Sequence, residues 1–478
     1  MHRQPEFYIA DLSLHRLMTR FDSLTRRFAG AALLGTLAVP LPSHAAQGDV
    51  RDRVLANGMK IIVMEDHRAP TVASMVWYRA GSMDEKSGTT GVAHVLEHMM
   101  FKGTRDNPGD KFSKTIAQAG GRENAFTNKD YTAYFQQLHK SKLPIALGLE
   151  ADRMQNLVLS ADEFAKEIRV VMEERRMRTD DQPRSLLYEQ LSSAAYAVHP
   201  YQWPIIGWMN DLENMTVDDA RDWYRTWYTP NNALLVVVGD VEPEEVFRLA
   251  EEKFGPLAAR DLPVRKPAVE PPQRGTKRLV VKAPGELPYL IMGWHVPVLR
   301  DVQKDWEPYA LSVLVGILDG NDAARLDRTL VREQRIAVSA GASYDSVNRG
   351  PGMFFMDGVP AAGKTVADIE TALRQQIQRV VDEGVSEVEL DRIKAQVIAQ
   401  QVYERDSMFY QAMQMGILEN AGLPFDSDEV QARRVREVTS EQIRDVARRY
   451  LVDDRLTVAV LEPQSLARQA GSAPAKHD

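Results

Sequence analysis

The 478-residue chain contains no cysteine. Disulfides, thiolate metal ligands and a cysteine nucleophile are therefore excluded, and any metal has to be held by His, Asp or Glu. An excess of positive charge is missing too: 59 basic residues face 67 acidic ones, for a formal net charge of −8. That balance argues against a nucleic-acid partner, which favours a basic face. Long apolar runs are also absent. The most pronounced, Phe28 to Val39, falls well short of the ~20 residues that cross a bilayer as a helix. No later stretch is longer, so the processed chain is expected to have no membrane partner.

What remains is globular protein. Hydrophobic residues make up 44% and charged residues 26% of the chain, a composition that supports a packed core and excludes wholesale disorder. At ~100–200 residues per domain, the length predicts two to four domains.

The N-terminus resembles an export signal. Arg20, Arg26 and Arg27 precede the apolar stretch, and Ser43-His44-Ala45 puts small residues at the −3 and −1 positions of a cleavage after Ala45. Residues 1–45 are thus expected to be a signal peptide, and the mature chain periplasmic or secreted. A cysteine-free composition suits an oxidising compartment.

The rest reads as a duplicated unit. Residues 215–238 and 438–461 align without a gap, matching Thr216 to Thr439, Arg221 to Arg444 and Asp222 to Asp445. Each copy is a Thr-capped amphipathic helix followed by a β-branched strand. A further pair of strands opens each half: residues 60–63 and 72–78, then 278–281 and 289–295. Four prolines among charged residues mark a linker at 261–277. The boundaries are accordingly 46–260, 261–277 and 278–465, with a disordered tail at 466–478. Helical stretches at 141–158, 162–178 and 387–418 lie between the strands. That order predicts an α+β fold of two duplicated domains, each a mainly antiparallel sheet packed with helices.

The most informative residues are His94-Val95-Leu96-Glu97-His98. On a helix, positions i and i+4 share a face, so both imidazoles can reach one divalent ion. Glu97 flanks that face and is placed to take a proton from an activated water. The order H-x-x-E-H is the inverse of a common zinc-protease motif. A hydrolytic zinc site needs a third protein ligand. The stretch 162–178 offers Glu163, Glu167, Glu173 and Glu174 among Lys166, Arg169, Arg175, Arg176 and Arg178. Glu167 and Glu174 share a face two turns apart, and Glu173 points elsewhere. Spacing alone does not choose among them, and a solvated charged surface would look similar.

Together these segments resemble the pitrilysin-like or insulinase-like zinc peptidases (the M16 inverzincins), in the two-domain branch that includes mitochondrial processing peptidase and bacterial zinc proteases. The resemblance rests on the His94–His98 motif with Met99–Thr104, on Gly120–Thr127 with Asp130-Tyr131-Thr132-Tyr134, and on Val171–Arg175. It implies that His94, His98 and Glu174 hold one Zn2+ per chain, that Glu97 is the general base, and that Glu167 supports the site. It further implies that Asn124, Ala125 and Phe126 lie on an edge strand that pairs with a peptide substrate. The implied fold is two domains around a chamber suited to peptides or unfolded segments.

The second half has no such motif: Trp306–Leu318, where a counterpart helix is expected, contains no His. The resemblance also implies an Arg and a Tyr seven residues later in the C-terminal half, contacting substrate and the developing oxyanion. Arg332 fits the first, but position 339 is Ser and the nearest tyrosine is Tyr344. This departure points to a heterodimer in which a homologous subunit supplies the pair. The alternatives are a self-sufficient homodimer and a non-catalytic assembly or binding subunit. Tyr196–Trp208 reads as a packed loop and Met408–Met415 as core filler.

Overall fold

The computed structural model describes residues 48–285 and 287–465. The expected signal peptide and the tail 466–478 lie outside them. The first half opens with β1 (Val50–Val54), β2 (Lys60–Glu65) and β3 (Thr71–Tyr78), then α1 (Val92–Met99) and α2 (Lys111–Gln118). A hairpin, β4 (Arg122–Thr127) and β5 (Thr132–His139), leads to α3 (Leu143–Asn156), α4 (Ala161–Arg175) and α5 (Pro183–Ala195). Then come α6 (Met209–Asn214), α7 (Val217–Trp227), β6 (Ala233–Gly239) and α8 (Pro243–Phe254).

The second half repeats the order: β7 (Lys277–Pro284), β8 (Tyr289–Val296), α9 (Glu307–Asp319), β9 (Ala337–Tyr344) and β10 (Gly352–Pro360). After these follow α10 (Val366–Glu383), α11 (Glu387–Glu404), α12 (Met408–Asn420), α13 (Asp428–Glu437), α14 (Ser440–Tyr450) and β11 (Leu456–Gln464). The aligned helices α7 and α14 start on the same device. Thr216 and Thr439 each accept from the third helical amide, while Asp219 and Gln442 reach back to the Thr amide.

Strands run β1-β2-β6-β3-β5-β4 in the first sheet and β7-β11-β8-β10-β9 in the second. The closing strand of each half inserts beside the opening one. It makes one parallel pair, β2 with β6 and β7 with β11, while the other neighbours are antiparallel. The fold is thus α+β with mixed, mainly antiparallel sheets. Strand β6, ALLVVVG, is buried at every residue, as a central strand of continuous apolar sequence should be. By contrast β4, RENAFT, is half exposed and ends its sheet.

One face of each sheet is covered by its own helices. The other is covered by a helix of the opposite half. On the second sheet, Leu187, Leu191 and Ala195 of α5 pack against Ala283, Ile291, Val359 and Ala459. On the first, Ala412, Met413 and Met415 of α12 pack against Ile62, Met75, Trp77 and Val236. Each large buried side chain contributes about 1.5–3 kcal/mol. The methionines read as core filler are therefore buried, but against the other half's sheet. To get there the chain breaks the single helical stretch expected at 387–418: α11 ends at Glu404, and Ser407 caps α12 by accepting from the Tyr410 amide.

The segment 261–277 is extended but anchored. Arg265 pairs with Asp84 and lies over the Trp227 ring, while the Glu270 carboxylate accepts the amides of Ala197, Val198 and His199. The aromatic loop is packed as expected, with the Tyr201 hydroxyl donating to Asp130 at 2.5 Å.

At Gly416 the helix α12 packs directly onto Trp77 of the first sheet. A Cβ there would lie 2.1 Å from Trp77 Cε2, and Trp77 is fully buried. Alanine would add about 1 kcal/mol of helix propensity, but the overlap with a rigid ring opposes it. Gly416→Ala is therefore expected to lower stability by about 1–3 kcal/mol in thermal or denaturant unfolding. An unchanged or raised midpoint would show that this contact has slack.

Candidate metal centre

Helix α1 starts at Gly91, whose φ of 90° places it in the left-handed region. A Cβ there would meet the Ile206 carbonyl at 2.5 Å, so glycine is required twice over. The first turn is held from upstream by Glu85, which accepts from Gly91 N and Ala93 N at 2.8 and 2.9 Å. Val92, Val95, Leu96 and Met99 bury the apolar stripe of the helix. His94, Glu97 and His98 are left on the face toward α4 and β4.

Helix α4 is capped by Ser160, which accepts from the Glu163 amide, and is seated by Phe164 and Val171. Its buried acids, Glu167 and Glu174, face α1, whereas Glu173 is 59% exposed and pairs with Arg176. Glu174 Oε2 lies 3.3 Å from His98 Nε2 and 3.9 Å from His94 Nε2. Donor atoms of all three residues fall within 4.8 Å of one another. A tetrahedral zinc with bonds of about 2.0–2.2 Å separates its ligand atoms by about 3.3–3.6 Å. The two imidazoles and the carboxylate therefore suit zinc in chemistry and come close to its spacing.

Surrounding residues fix the donors. His98 Nδ1 donates to Glu167 Oε1 at 2.9 Å, which turns Nε2 toward Glu174, and Lys102 holds the other Glu167 oxygen at 2.5 Å. Burial, aided by the charge of His98, pushes His94 down to about 3, leaving it the neutral imidazole a metal requires. Burial acts to lower His98 as well, but hydrogen bonds to Glu167 and Glu174 carry it up to about 9. On Glu174, burial acts upward and is outweighed by His98, His94 and Arg178, which bring it down to about 2. The pocket thus favours a positive charge between its carboxylates, and a metal taking that place would release a proton.

Burial pushes Glu97 up to about 7, against the opposing charge of His98 and a hydrogen bond from Thr127. That bond joins the strand to the helix: Thr127 Oγ1 donates to Glu97 Oε2 at 2.5 Å. Thr127 ends β4, which among the described residues pairs only with β5 and leaves its outer edge open. Ala125 and Thr127 face α1. Phe126 faces the opposite side of the sheet, against Trp77 and Tyr131. Asn124 is exposed, and its Oδ1 accepts the Ala125 amide at 2.9 Å.

The structure therefore brings together His94, Glu97, His98, Glu167 and Glu174, with Asn124, Ala125 and Phe126 on the adjoining edge strand. Arg332 is not among them. It is 57% exposed on the second half and pairs with Asp327 at 2.6 Å and Asp322 at 3.5 Å. Tyr344 donates its hydroxyl to the Pro297 carbonyl at 2.5 Å. Three residues at the site went unassigned in the sequence: Thr127, Lys102 and Arg178. Their signals are strand parity with Ala125 and the i+4 spacings from His98 and Glu174. The basic residues of α4 are not uniformly solvated, because Arg175 is buried and held by Glu189 and the Gly207 carbonyl.

Comparison with known proteins bears directly on this geometry. The pattern described as Insulinase (Peptidase family M16) matches residues 60–207, which include the whole cluster, and Peptidase M16 inactive domain matches 214–397. Zinc protease PqqE of Helicobacter pylori is 32% identical over 371 residues, covering 76% of this chain and 82% of that protein. The chain belongs to peptidase family M16. An uncharacterized zinc protease of Bacillus subtilis, YmxG, is 28% identical over 342 residues, covering 71% of this chain and 81% of its own length. A crystal structure of a protease from Helicobacter pylori superposes with a TM-score of 0.82 at 28% identity, over 87% of this chain and all of that one. The inactive-domain pattern spans the end of the first half and much of the second half, which lacks the histidine motif.

Removing the Glu167 charge should loosen the orientation of His98 without removing a donor. Glu167→Gln is expected to weaken zinc binding about 10–100-fold, read by competition with a chromogenic chelator. Glu174→Gln should weaken it further. Equal affinity in the wild type and Glu167→Gln would show that Glu167 does not support the ligand set.

Proposed function

We propose that this chain is a zinc-dependent endopeptidase acting on peptides or unfolded polypeptide segments. The observation that carries the reading is the convergence of His94, His98 and Glu174 beside a carboxylate, Glu97, that is itself hydrogen-bonded to the open edge strand.

His94, His98 and Glu174 would hold the ion, which would supply Lewis-acid activation of water and of the scissile carbonyl. Strand β4 takes the substrate as an added strand, and its outer amides and carbonyls set the register. Asn124 yields the Ala125 amide as the peptide arrives. Glu97 accepts the proton of the attacking water and later delivers it to the leaving amine. Thr127 keeps the Glu97 carboxylate aimed during both transfers. Holding the reactants in this geometry accounts for part of the rate gain.

The catalytic unit in this reading is a heterodimer, in which a homologous chain supplies the Arg/Tyr pair. The Asp327 ion pair of Arg332 and the Pro297 hydrogen bond of Tyr344 favour that division of labour. The basic and apolar residues before Ala45 support an exported, periplasmic or secreted product.

Purified residues 46–478 should contain about one zinc per chain and cleave a quenched fluorescent peptide library when the homologous chain is added. Glu97→Gln should retain the ion and lose at least about 100-fold in turnover. Zinc-free protein without turnover would overturn the enzyme reading in favour of a binding subunit. Turnover at the same rate with and without the homologue would overturn the heterodimer and leave a self-sufficient peptidase.

A further inference from the structure

Glu174 presents its two oxygens to different partners. Oε2 faces the two imidazoles, whereas Oε1 lies 2.9 Å from the Arg178 guanidinium. An exposed i,i+4 pair of this kind would be an ordinary helix-surface contact worth a few tenths of a kcal/mol. Here the carboxylate is nine-tenths buried and its other oxygen belongs to the metal cluster.

Arg178 stands in a wider, π-helical turn, Arg176–Asp180, that continues α4, closed by the Asp181 amide donating to the Arg176 carbonyl at 2.8 Å. Such turns occur often at functional sites. The preceding Arg175 anchors the turn through both Glu189 oxygens, at 2.8 and 3.0 Å, and through the Gly207 carbonyl at 2.8 Å. With the helix end pinned, the half-exposed Arg178 lies back over Glu174.

A glutamate ligand can bind with one oxygen or two, and the second would occupy the position that a hydrolytic zinc keeps open for water. Resting on the zinc-peptidase reading above, we infer that Arg178 is a positioning residue that confines Glu174 to single-oxygen coordination and so preserves that open position. At this distance, and with the carboxylate shielded from water, the charge of the guanidinium competes with an ion for Oε1. The arginine acts through Glu174.

The test is cobalt substitution of residues 46–478 as wild type, Arg178→Gln and Arg178→Lys, read by visible absorption, with steady-state cleavage of the fluorescent peptide measured in the presence of the homologous chain. Wild type should give the intense bands of four-coordinate cobalt. Arg178→Gln should still take up about one cobalt per chain but show the weaker bands of a higher coordination number. Its kcat should fall about 10–100-fold with KM nearly unchanged, and Arg178→Lys should recover part of both signals. Identical spectra and kcat within twofold for wild type and Arg178→Gln would overturn this inference while leaving the metal site standing. Wild-type protein that takes up no cobalt would overturn the metal reading and this inference with it.

Discussion

Each sheet has one face that its own half does not cover, and the rest of the structure follows from how that face is buried. Helix α5 leaves the first half to lie on the second sheet, and α12 leaves the second half to lie on the first. The two are corresponding helices, each the third after its half's hairpin. The duplicated halves are consequently interlocked. Arg349, which binds Asp84 and Asp130 across the halves, adds a polar tie to the apolar one. Helix α4 and the turn after it lead directly into α5, so the helix that carries Glu174 is continuous with one of the two interlocking elements.

The geometry of the metal cluster follows from how each helix buries its apolar stripe. On α1 the apolar stripe fixes the rotation of the helix, and the remaining face carries His94, Glu97 and His98. On α4 the same logic turns Glu167 and Glu174 inward and leaves Glu173 outside. The donors then need only a small closing movement to meet an ion. Their nearest neighbours, Lys102, Thr127 and Arg178, each engage one carboxylate of the cluster.

Much of this was legible in the sequence because it depends on local periodicity. The i,i+4 histidines and the glutamates seven residues apart follow from helical geometry alone, and the ungapped repeat exposed the duplication. The third ligand was less legible: spacing alone did not choose among the glutamates, the family resemblance chose Glu174, and the burial of Glu174 with Glu173 exposed agrees with that choice. Reciprocal packing was not legible at all. An apolar stripe such as Leu187-Leu191 or Met413-Met415 says that a helix is buried, but not beneath which sheet. The same limit hid the break at 405–407 and the buried state of Arg175, whose partners Glu189 and Gly207 are distant in sequence. The partners that hold the linker were hidden for that reason too: Arg265 and Glu270 anchor it to the first half.

The open edge of β4 has a second consequence. A row of unpaired amides and carbonyls is an invitation to any extended chain, including another copy of this protein, and such edges are where sheets zip together into aggregates. Here the risk is reduced by the strand's own side chains. Asn124 occupies the Ala125 amide, and the exposed Arg122 places a charge at the start of the strand. The Asn124 bond leaves the Ala125 amide already engaged, so an extended chain docking there has to displace a side chain first.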